Sequence, residues 1–495
     1  MILSGFIILP LLYIVVSFFP LGLRARQWGA VAMTVMNLLL AVGLIAHIAS
    51  TGMVKSEMGS WQAPYGIVMV ADRLSALLLL ITALLGTALS VYAIQSMDTE
   101  RQEKGFYQFF AGILMGVNGS FIAGDLFNLY VWFEVMLMSS FILMSHGGGK
   151  VQLGGSIKYL ILNLISSFFF VAGIGLLYGQ TGTLNLAHLS RIIAEAAVLP
   201  SSFNAPLVLI AIAFAIKGAL FPFFFWLPAS YHTPPPAVTA LFAGLLTKVG
   251  IYSLIRFHTL ILRYDDAIWN DVMLWIGGLS MVIGVFTATS QYDFRKILSF
   301  HIISQVGYVV LALGFSTRAA MAGAIFFLGH NMIAKTGVFL VAGWVKKRKG
   351  TLDLRRLGEL FSRNKWWSVM FLIPAFSLAG IPPLSGFVGK YAIIKSGIDA
   401  HHTTAALIAL FVGVFTLFSM LKIWIEVFWK PMPTAIEPAI KGGEGLMLTG
   451  AALLALATIG MGVAGAPILD YCTEAANDLF NPNGYVEFVL GRGGV

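Results

Sequence analysis

An all-α, polytopic membrane fold of about fourteen transmembrane helices, with two inverted five-helix repeats, is predicted by three observations. The chain of 495 residues is 58% hydrophobic and only 11% charged, with a mean hydropathy of +0.86. Its apolar residues gather into runs of about 20 between short charged or Gly/Pro-rich breaks, the length a helix needs to cross the hydrocarbon core. The stretch from Pro206 to Phe257 holds two such runs, each with one bare lysine inside it, Lys217 and Lys248. A lysine at the middle of a spanning helix costs on the order of 3 kcal/mol, so it belongs in a protein-lined or watery interior rather than in lipid.

Taken in order, helices 1 to 3 are expected near Leu3 to Leu23, Trp28 to Ile48 and Asp72 to Ile94. Helices 4 and 5, about Phe106 to Ala123 and Leu126 to Ser145, are separated only by a tight Gly124-Asp125 turn, where Asp125 reads as a helix cap. Helix 6 takes about Ile157 to Tyr178, and the stretch from Pro206 to Phe257 supplies helices 7 and 8. Helices 9, 10 and 11 lie near Ile268 to Thr289, Arg295 to Gly314 and Ala319 to Val345. Helix 12 runs from Trp366 to Ile398 with a break, and helices 13 and 14 lie near Thr404 to Trp429 and Gly445 to Val463. The N-terminal apolar run has no basic segment before it and no small-residue cleavage site, so a retained first helix is expected rather than a signal peptide. No linker is long enough to divide the chain, and one membrane domain over 1–495 is expected.

Charge orients these spans. Loops after odd-numbered helices carry Arg24, Arg26, Arg101, Lys104, Lys150, Lys158, Arg295, Lys296, the cluster Lys346 to Lys349, Arg355, Arg356, Arg363, Lys365, Lys430 and Lys441. Loops after even-numbered helices carry chiefly Lys55, Arg191, Arg263 and Arg318. That bias places odd loops in the cytoplasm and both termini outside a plasma membrane. It also accounts for the net charge of +9 without a nucleic-acid partner. The Lys346 to Lys365 segment is read as a topology signal, with a lipid-headgroup or partner contact as the alternative.

The helix breaks suggest the repeats. Lys217 is followed by Phe221-Pro222, and five helices later GIPPLSGF, with Pro382 and Pro383, precedes Lys390. A proline inside a span removes a backbone hydrogen bond and frees a carbonyl, and interrupted helices at matching places point to inverted repeats with sites at mid-membrane. The expected repeats are 106–257 and 268–430. Five is an odd number, so successive units have opposite orientation.

The candidate chemistry is proton handling. Glu134 stands alone among apolar residues, and Lys217 is its natural mate, since an adjacent cation keeps a buried carboxylate charged; the alternative is a neutral acid satisfied by a neighbouring backbone carbonyl. Lys248 lies too far from either helix end to snorkel easily. Lys390 either meets water through the preceding break or snorkels. Between Lys248 and Lys390, His330 reads as a possible relay, Lys335 accompanies it on helix 11, and His301 on helix 10 is a third candidate. Both histidines read equally well as hydrogen-bonded core residues. Lys422 and Glu426, four apart, read as a structural ion pair. The prolines of the turn after helix 7 carry His232. Cys472 is the only cysteine, and no Cys/His cluster has metal-ligand spacing, so no metal or redox cofactor is expected. Phosphate loops, nucleophile elbows and zincin helices are absent from the sequence, leaving no catalytic residues to assign and no hydrolysis of ATP.

With these residues in view, the chain resembles the antiporter-like subunits shared by respiratory complex I and the Mrp-type multisubunit cation/proton antiporters. The stretches Gly124 to Ser140, Phe221 to Gly250 and Leu378 to Tyr391 are most similar to the D-type subunits of the Mrp antiporters. The resemblance covers essentially the whole chain. It implies that Glu134, Lys217, Lys248 and Lys390 are the ionisable residues of a hydrated mid-membrane chain, linked electrostatically to neighbouring subunits. Two points depart from the pattern: helix 12 carries lysine where one complex I subunit has glutamate, and the usual helix 11 histidine is replaced by Asn331, with His330 one earlier. The chain stops soon after helix 14, as a middle subunit of the series does. The expected role is a proton-translocating subunit of a Na⁺/H⁺ antiporter, a secondary transporter rather than an enzyme, with other hydrophobic antiporter subunits, the lipid bilayer, protons and a monovalent cation, Na⁺, as its partners. The alternatives are a subunit of a redox-driven proton pump of the complex I or membrane-hydrogenase type, and a scaffold whose buried charges merely pin helix packing.

Overall fold

The computed structural model describes residues 2–196, 200–262, 266–432 and 443–491; Arg263 and Lys441, counted above among the loop cations, lie outside the described residues. Where the polar caps fall, the helices begin. The carboxylate of Asp72 accepts from Ser75 N at the start of α3 (Arg73–Ser96), and Asp125 accepts from Asn128 N at the start of α5 (Leu126–Ser145). Asp266 opens α9 (Ala267–Ser290), Asp293 opens α10 (Phe294–Gly314) and Thr317 opens α11 (Arg318–Lys349) in the same way. Each side-chain oxygen satisfies one of the amide groups that a helix N-terminus leaves free, and Asp266 two of them.

The other principal helices are α1 (Ile2–Ser17), α2 (Leu23–Thr51), α4 (Tyr107–Ile122), α6 (Lys150–Thr181), α7 (Asn204–Lys217), α8 (Pro236–Leu260), α12 (Lys365–Ala379), α13 (Ser385–Asp399), α14 (Thr403–Ile423), α15 (Gly445–Val463), α16 (Gly465–Leu479) and α17 (Pro482–Leu490). Among the described residues, ten helices are long and apolar enough to cross a membrane. Their arrangement is set by burial. The apolar windows of α8 and α11 are buried completely, whereas those of α2, α5, α6 and α15 are buried by less than half. The first pair forms the centre of the bundle, and the others turn large apolar side chains such as Leu39, Phe127, Phe168 and Leu456 outward, as a lipid or partner environment requires.

Three elements differ from the sequence-based expectation. The fold is not purely helical: Val54–Glu57 and Val68–Ala71 pair as an antiparallel hairpin between α2 and α3. These segments are too short and too mixed in character to stand out beside spanning helices. An amphipathic helix, Leu186–Glu195, lies between α6 and α7, with Leu186, Leu189 and Ile193 buried on one side. Beyond α15 the chain continues as α16 and α17, so the described structure does not stop at the last expected helix.

The N-terminal turns of α5 and α10 share a local geometry. Asp125 bridges antiparallel to Asn185, with Leu126 N bonded to Leu184 O and Leu186 N to Gly124 O. Asp293 bridges antiparallel to Asp353, with Phe294 N bonded to Leu352 O and Leu354 N to Tyr292 O. The two sites lie at opposite ends of α8. Beside the second, Arg295 donates to Pro234 O just before that helix begins; beside the first, Tyr252, close to its far end, donates to Phe121 O.

Candidate functional site

The two proline breaks deliver lysines to the interior by the same physical means. α7 ends at Lys217, where Ala219 takes a positive φ and Trp226 donates its indole N–H to Ile216 O at 3.0 Å, a carbonyl that also accepts from Ala219 N. Phe221-Pro222 follows, its Phe221 N bonded to Ser280 Oγ on α9 at 2.9 Å. The end of α7 lies directly on α8 because position 250 is glycine: a Cβ there would stand 2.6 Å from Gly218 N and 2.8 Å from Lys217 C. Lys217 is 4% exposed, its ammonium 5.5 Å from the Phe133 ring centroid.

At the second break α12 stops at Gly380, and after Pro382 and Pro383 the chain resumes as α13. Lys390 Nζ donates to Leu378 O at 2.8 Å and to Ala379 O at 3.1 Å. These are carbonyls of the last turn of α12, so the ammonium sits at the negative end of a half-helix. It also stands 5.2 Å from the Tyr308 ring centroid, while the Tyr308 hydroxyl donates to Ala409 O. The turn fits only without a side chain at 386, where a Cβ would stand 1.7 Å from Ser377 O and 2.9 Å from His330 Nε2.

Between the breaks lie the remaining candidates. Lys248 is fully buried and donates to Ala243 O at 2.6 Å. Lys335, equally buried, reaches Leu298 O on α10 at 3.5 Å and stands within electrostatic range of both Lys248 and Lys390. His330 is tied to the second break: its Nδ1 pairs with Ser385 Oγ at 2.9 Å, and Ser385 with Ser377 Oγ at 3.0 Å. Among the described residues neither ring nitrogen of His301 has a hydrogen-bond partner, nor does either amide atom of Gln305 or Asn331. The interior between α10 and α11 is therefore polar, with donors and acceptors left over.

Two sequence expectations change here. Glu134 and Lys217 do not form a contact ion pair: neither Glu134 Oε1 nor Lys217 Nζ has a hydrogen-bond partner among the described residues, and the ammonium lies against the Phe133 ring. Its charge still senses Glu134 through space. Lys422 does not pair with Glu426. It donates to Thr289 O and Gln291 O over the Tyr292 ring, whereas Glu426 pairs with Lys430, one helical turn on, where α14 continues as a wider π turn. Between the breaks, Lys335 lies within electrostatic range of both Lys248 and Lys390, while His330, bonded to serines of the second break, lies within range of Lys335 and Lys390. Those serines and Gln305 were missed in the sequence; position 305, four residues after His301 and so on the same face of α10, was the available signal.

The transmembrane family described as NADH:quinone oxidoreductase/Mrp antiporter matches residues 123–416, more than half of the chain. The chain belongs to that family. The D-type subunit of the Na(+)/H(+) antiporter of Alkalihalophilus pseudofirmus is 43% identical over 493 residues, covering 98% of this chain and 99% of that protein. The corresponding subunit of Bacillus subtilis is 37% identical over 492 residues, again covering 98% and 99%. Among solved structures, one chain of the Mrp complex from Dietzia sp. DQ12-45-1b superposes with a TM-score of 0.91 at 31% identity, covering 99% of both chains. A chain of the membrane-bound sulfane sulfur reductase, an archaeal respiratory membrane complex, superposes with a TM-score of 0.89 at 26% identity, also covering 99% of each. The matched region of this antiporter-family chain runs from the Gly124-Asp125 turn into α14, and so includes Glu134, both breaks, Lys217, Lys248, Lys335 and Lys390.

Proposed function

We propose that this chain is the proton-translocating membrane subunit of a multisubunit Na⁺/H⁺ antiporter, driven by the proton motive force. Protons pass along Glu134, Lys217, Lys248, Lys335 and Lys390, and the charge of each group biases its neighbour. One observation carries the reading: Lys217 holds an ammonium at the end of an interrupted helix inside a membrane bundle, without a hydrogen-bond partner among the described residues. A buried lysine left so is poised to exchange its proton. The lone acid acting on it from α5 gives its charge a switch. The relatives that are subunits of Na(+)/H(+) antiporters support the substrate assignment.

The inverted repeats belong to the same proposal. The paired bridges at Asp125 and Asp293, at opposite ends of α8, and the two helix breaks support units over 106–257 and 268–430. Odd-numbered loops then face the cytoplasm and both termini face outward, in a plasma membrane.

The test is Na⁺-dependent dissipation of a pH gradient in inverted vesicles holding the full complex, normalised to assembled complex. Lys217→Ala should abolish exchange while assembly persists; unchanged exchange overturns the proposal. The likeness to a respiratory complex chain favours one second reading, a subunit of a redox-driven pump. That reading takes over if wild-type vesicles show no Na⁺ response and acidify with an electron donor.

A further inference from the structure

A cavity of about 420 Å³ opens beside the N-terminus of α5, lined by Tyr65, Asp125, Tyr178, Thr183, Asn185 and His188 among others. Its polar lining is unusual in one respect. Each cap residue here uses one side-chain atom and leaves another over. Asp125 Oδ1 accepts from Asn128 N at 2.7 Å, whereas Oδ2 has no hydrogen-bond partner among the described residues, although the residue is only 9% exposed. Asn185, 2% exposed, accepts from His188 N through Oδ1 and leaves Nδ2 equally unpartnered. His188 Nδ1 is the third such atom. A helix cap accounts for one atom of Asp125 and one of Asn185. It accounts for none of the three that remain, and buried polar atoms are ordinarily paired. The wall that holds them is fixed, because the two segments are joined on both sides of the Asp125 to Asn185 bridge by main-chain hydrogen bonds of 2.9 and 3.0 Å.

We propose that this cavity is a proton-exchange vestibule for the α5 end of the path, in which the free carboxylate oxygen of Asp125 trades protons with water and Asn185 and His188 orient the exchange. This rests on the proton-path reading above. In the loading step a hydronium ion gives its proton to Asp125 Oδ2, leaving water and a neutral carboxyl; the reverse step returns hydronium. Glu134 lies nine residues further along α5, about 13 Å of helix rise, too far for direct transfer, so the proposal requires water between the two carboxyls. The cavity has room for several waters.

The titration of Asp125 suits the task. Burial pushes its carboxyl up to about 6, against the opposing pull of the Asn128 amide. The titratable groups that face it are His188 from the Leu186–Glu195 helix, Tyr65 from the hairpin loop, Tyr178 from α6 and Tyr485 from α17. Burial, with Arg191 nearby, holds His188 below its usual value despite Glu195.

Asn is as good a helix cap as Asp, so Asp125→Asn removes the proton and keeps the cap. In vesicles with the full complex, Asp125→Asn should slow exchange roughly tenfold or more and erase the inflection near pH 6. Asp125→Glu should restore part of both. Wild-type rate and profile in Asp125→Asn, with only Asp125→Ala impaired, would reduce the residue to a cap and overturn the proposal. A second measurement does not depend on a variant. Dicyclohexylcarbodiimide labels protonated buried carboxyls, and peptide-resolved labelling of Asp125 in the wild-type complex should show a midpoint near pH 6. A midpoint in the ordinary carboxylate range overturns it. Exchange that survives Lys217→Ala would instead strike the underlying proton path, so the two failures are distinguishable.

Discussion

Asp125 and Asp293 are structural counterparts: each caps a helix, each bridges antiparallel to a partner the same distance further along the chain, and each partner caps the helical turn that follows. They stand at opposite ends of α8. Their surroundings differ. Asp125 is buried and opens on a cavity, while Asp293 is only partly buried beside the exposed Tyr292, whose ring is flanked by Lys422 at 3.7 Å and Arg355 at 4.6 Å from its centroid. At Asp293, therefore, capping is the property to test. Asp293→Ala should lower the stability of the assembled complex by about 1 kcal/mol, and Asp293→Asn should cost little. Thermal unfolding of the detergent-purified complex separates the two, and equal losses would argue against the cap.

Lys335 stands within range of Lys248 on one side and Lys390 on the other. Removing it should interrupt the row of cations. Lys335→Ala should reduce exchange by on the order of tenfold or more, and Lys248→Ala should do the same, with assembly preserved in both. His330→Ala should do less, because Ser385 and Ser377 already hold that ring. A larger effect from His330→Ala than from Lys335→Ala, read in the same vesicle assay, would reverse their roles.

The sequence carried the helices and the buried lysines plainly, because an apolar run interrupted by one charge has few alternative explanations. α9 and α15 fall within a residue of where their apolar runs end. The hairpin is local but too short and too mixed in character to stand out beside spanning helices, whereas the Leu186–Glu195 helix is placed by a distant partner, the Asp125 bridge at its N-terminus. Side-chain pairing was less legible still. Glu134 and Lys217 attract across space, but the Lys217 ammonium lies against Phe133, part of a cluster with Phe170 and Phe214 to which α5, α6 and α7 each contribute. Helical spacing permits Lys422 to meet Glu426 but cannot weigh that partner against Lys430, or the carbonyls of Thr289 and Gln291.

Gly386 tests the second break. A Cβ at that position would meet Ser377 O at 1.7 Å, a backbone atom with no room to move. Gly386→Ala should therefore block the turn that positions Lys390 and Ser385, and reduce the assembled complex severely. Gly175→Ala on α6, where nothing lies within 4 Å of the added carbon, should be neutral or stabilising by up to about 1 kcal/mol. Native gels of membranes carrying each variant read the difference, and normal assembly of Gly386→Ala would show that the break can relax.

Asp72 and Arg256 form a buried ion pair at 2.5 Å, with Ser75 and Tyr252 completing its hydrogen bonds and the Tyr485 ring of α17 beside the guanidinium. Breaking such a pair leaves a charge stranded, at a cost of about 3–5 kcal/mol, whereas replacing both partners costs far less. Asp72→Asn and Arg256→Met should each destabilise the complex strongly, and the double variant less than either alone. Although burial alone would raise it, Arg256 holds the Asp72 carboxyl below the usual carboxylate range. A depressed folded-state value means that the stabilisation is present at neutral pH and is lost as pH falls through that value. The wild type should therefore lose stability in acid, below about pH 4, by an increment that Asp72→Asn lacks. Thermal midpoints of the four forms at neutral and acid pH give both results. Additive single effects would mean that the two residues act separately, and an acid loss retained in Asp72→Asn would place it on another carboxylate.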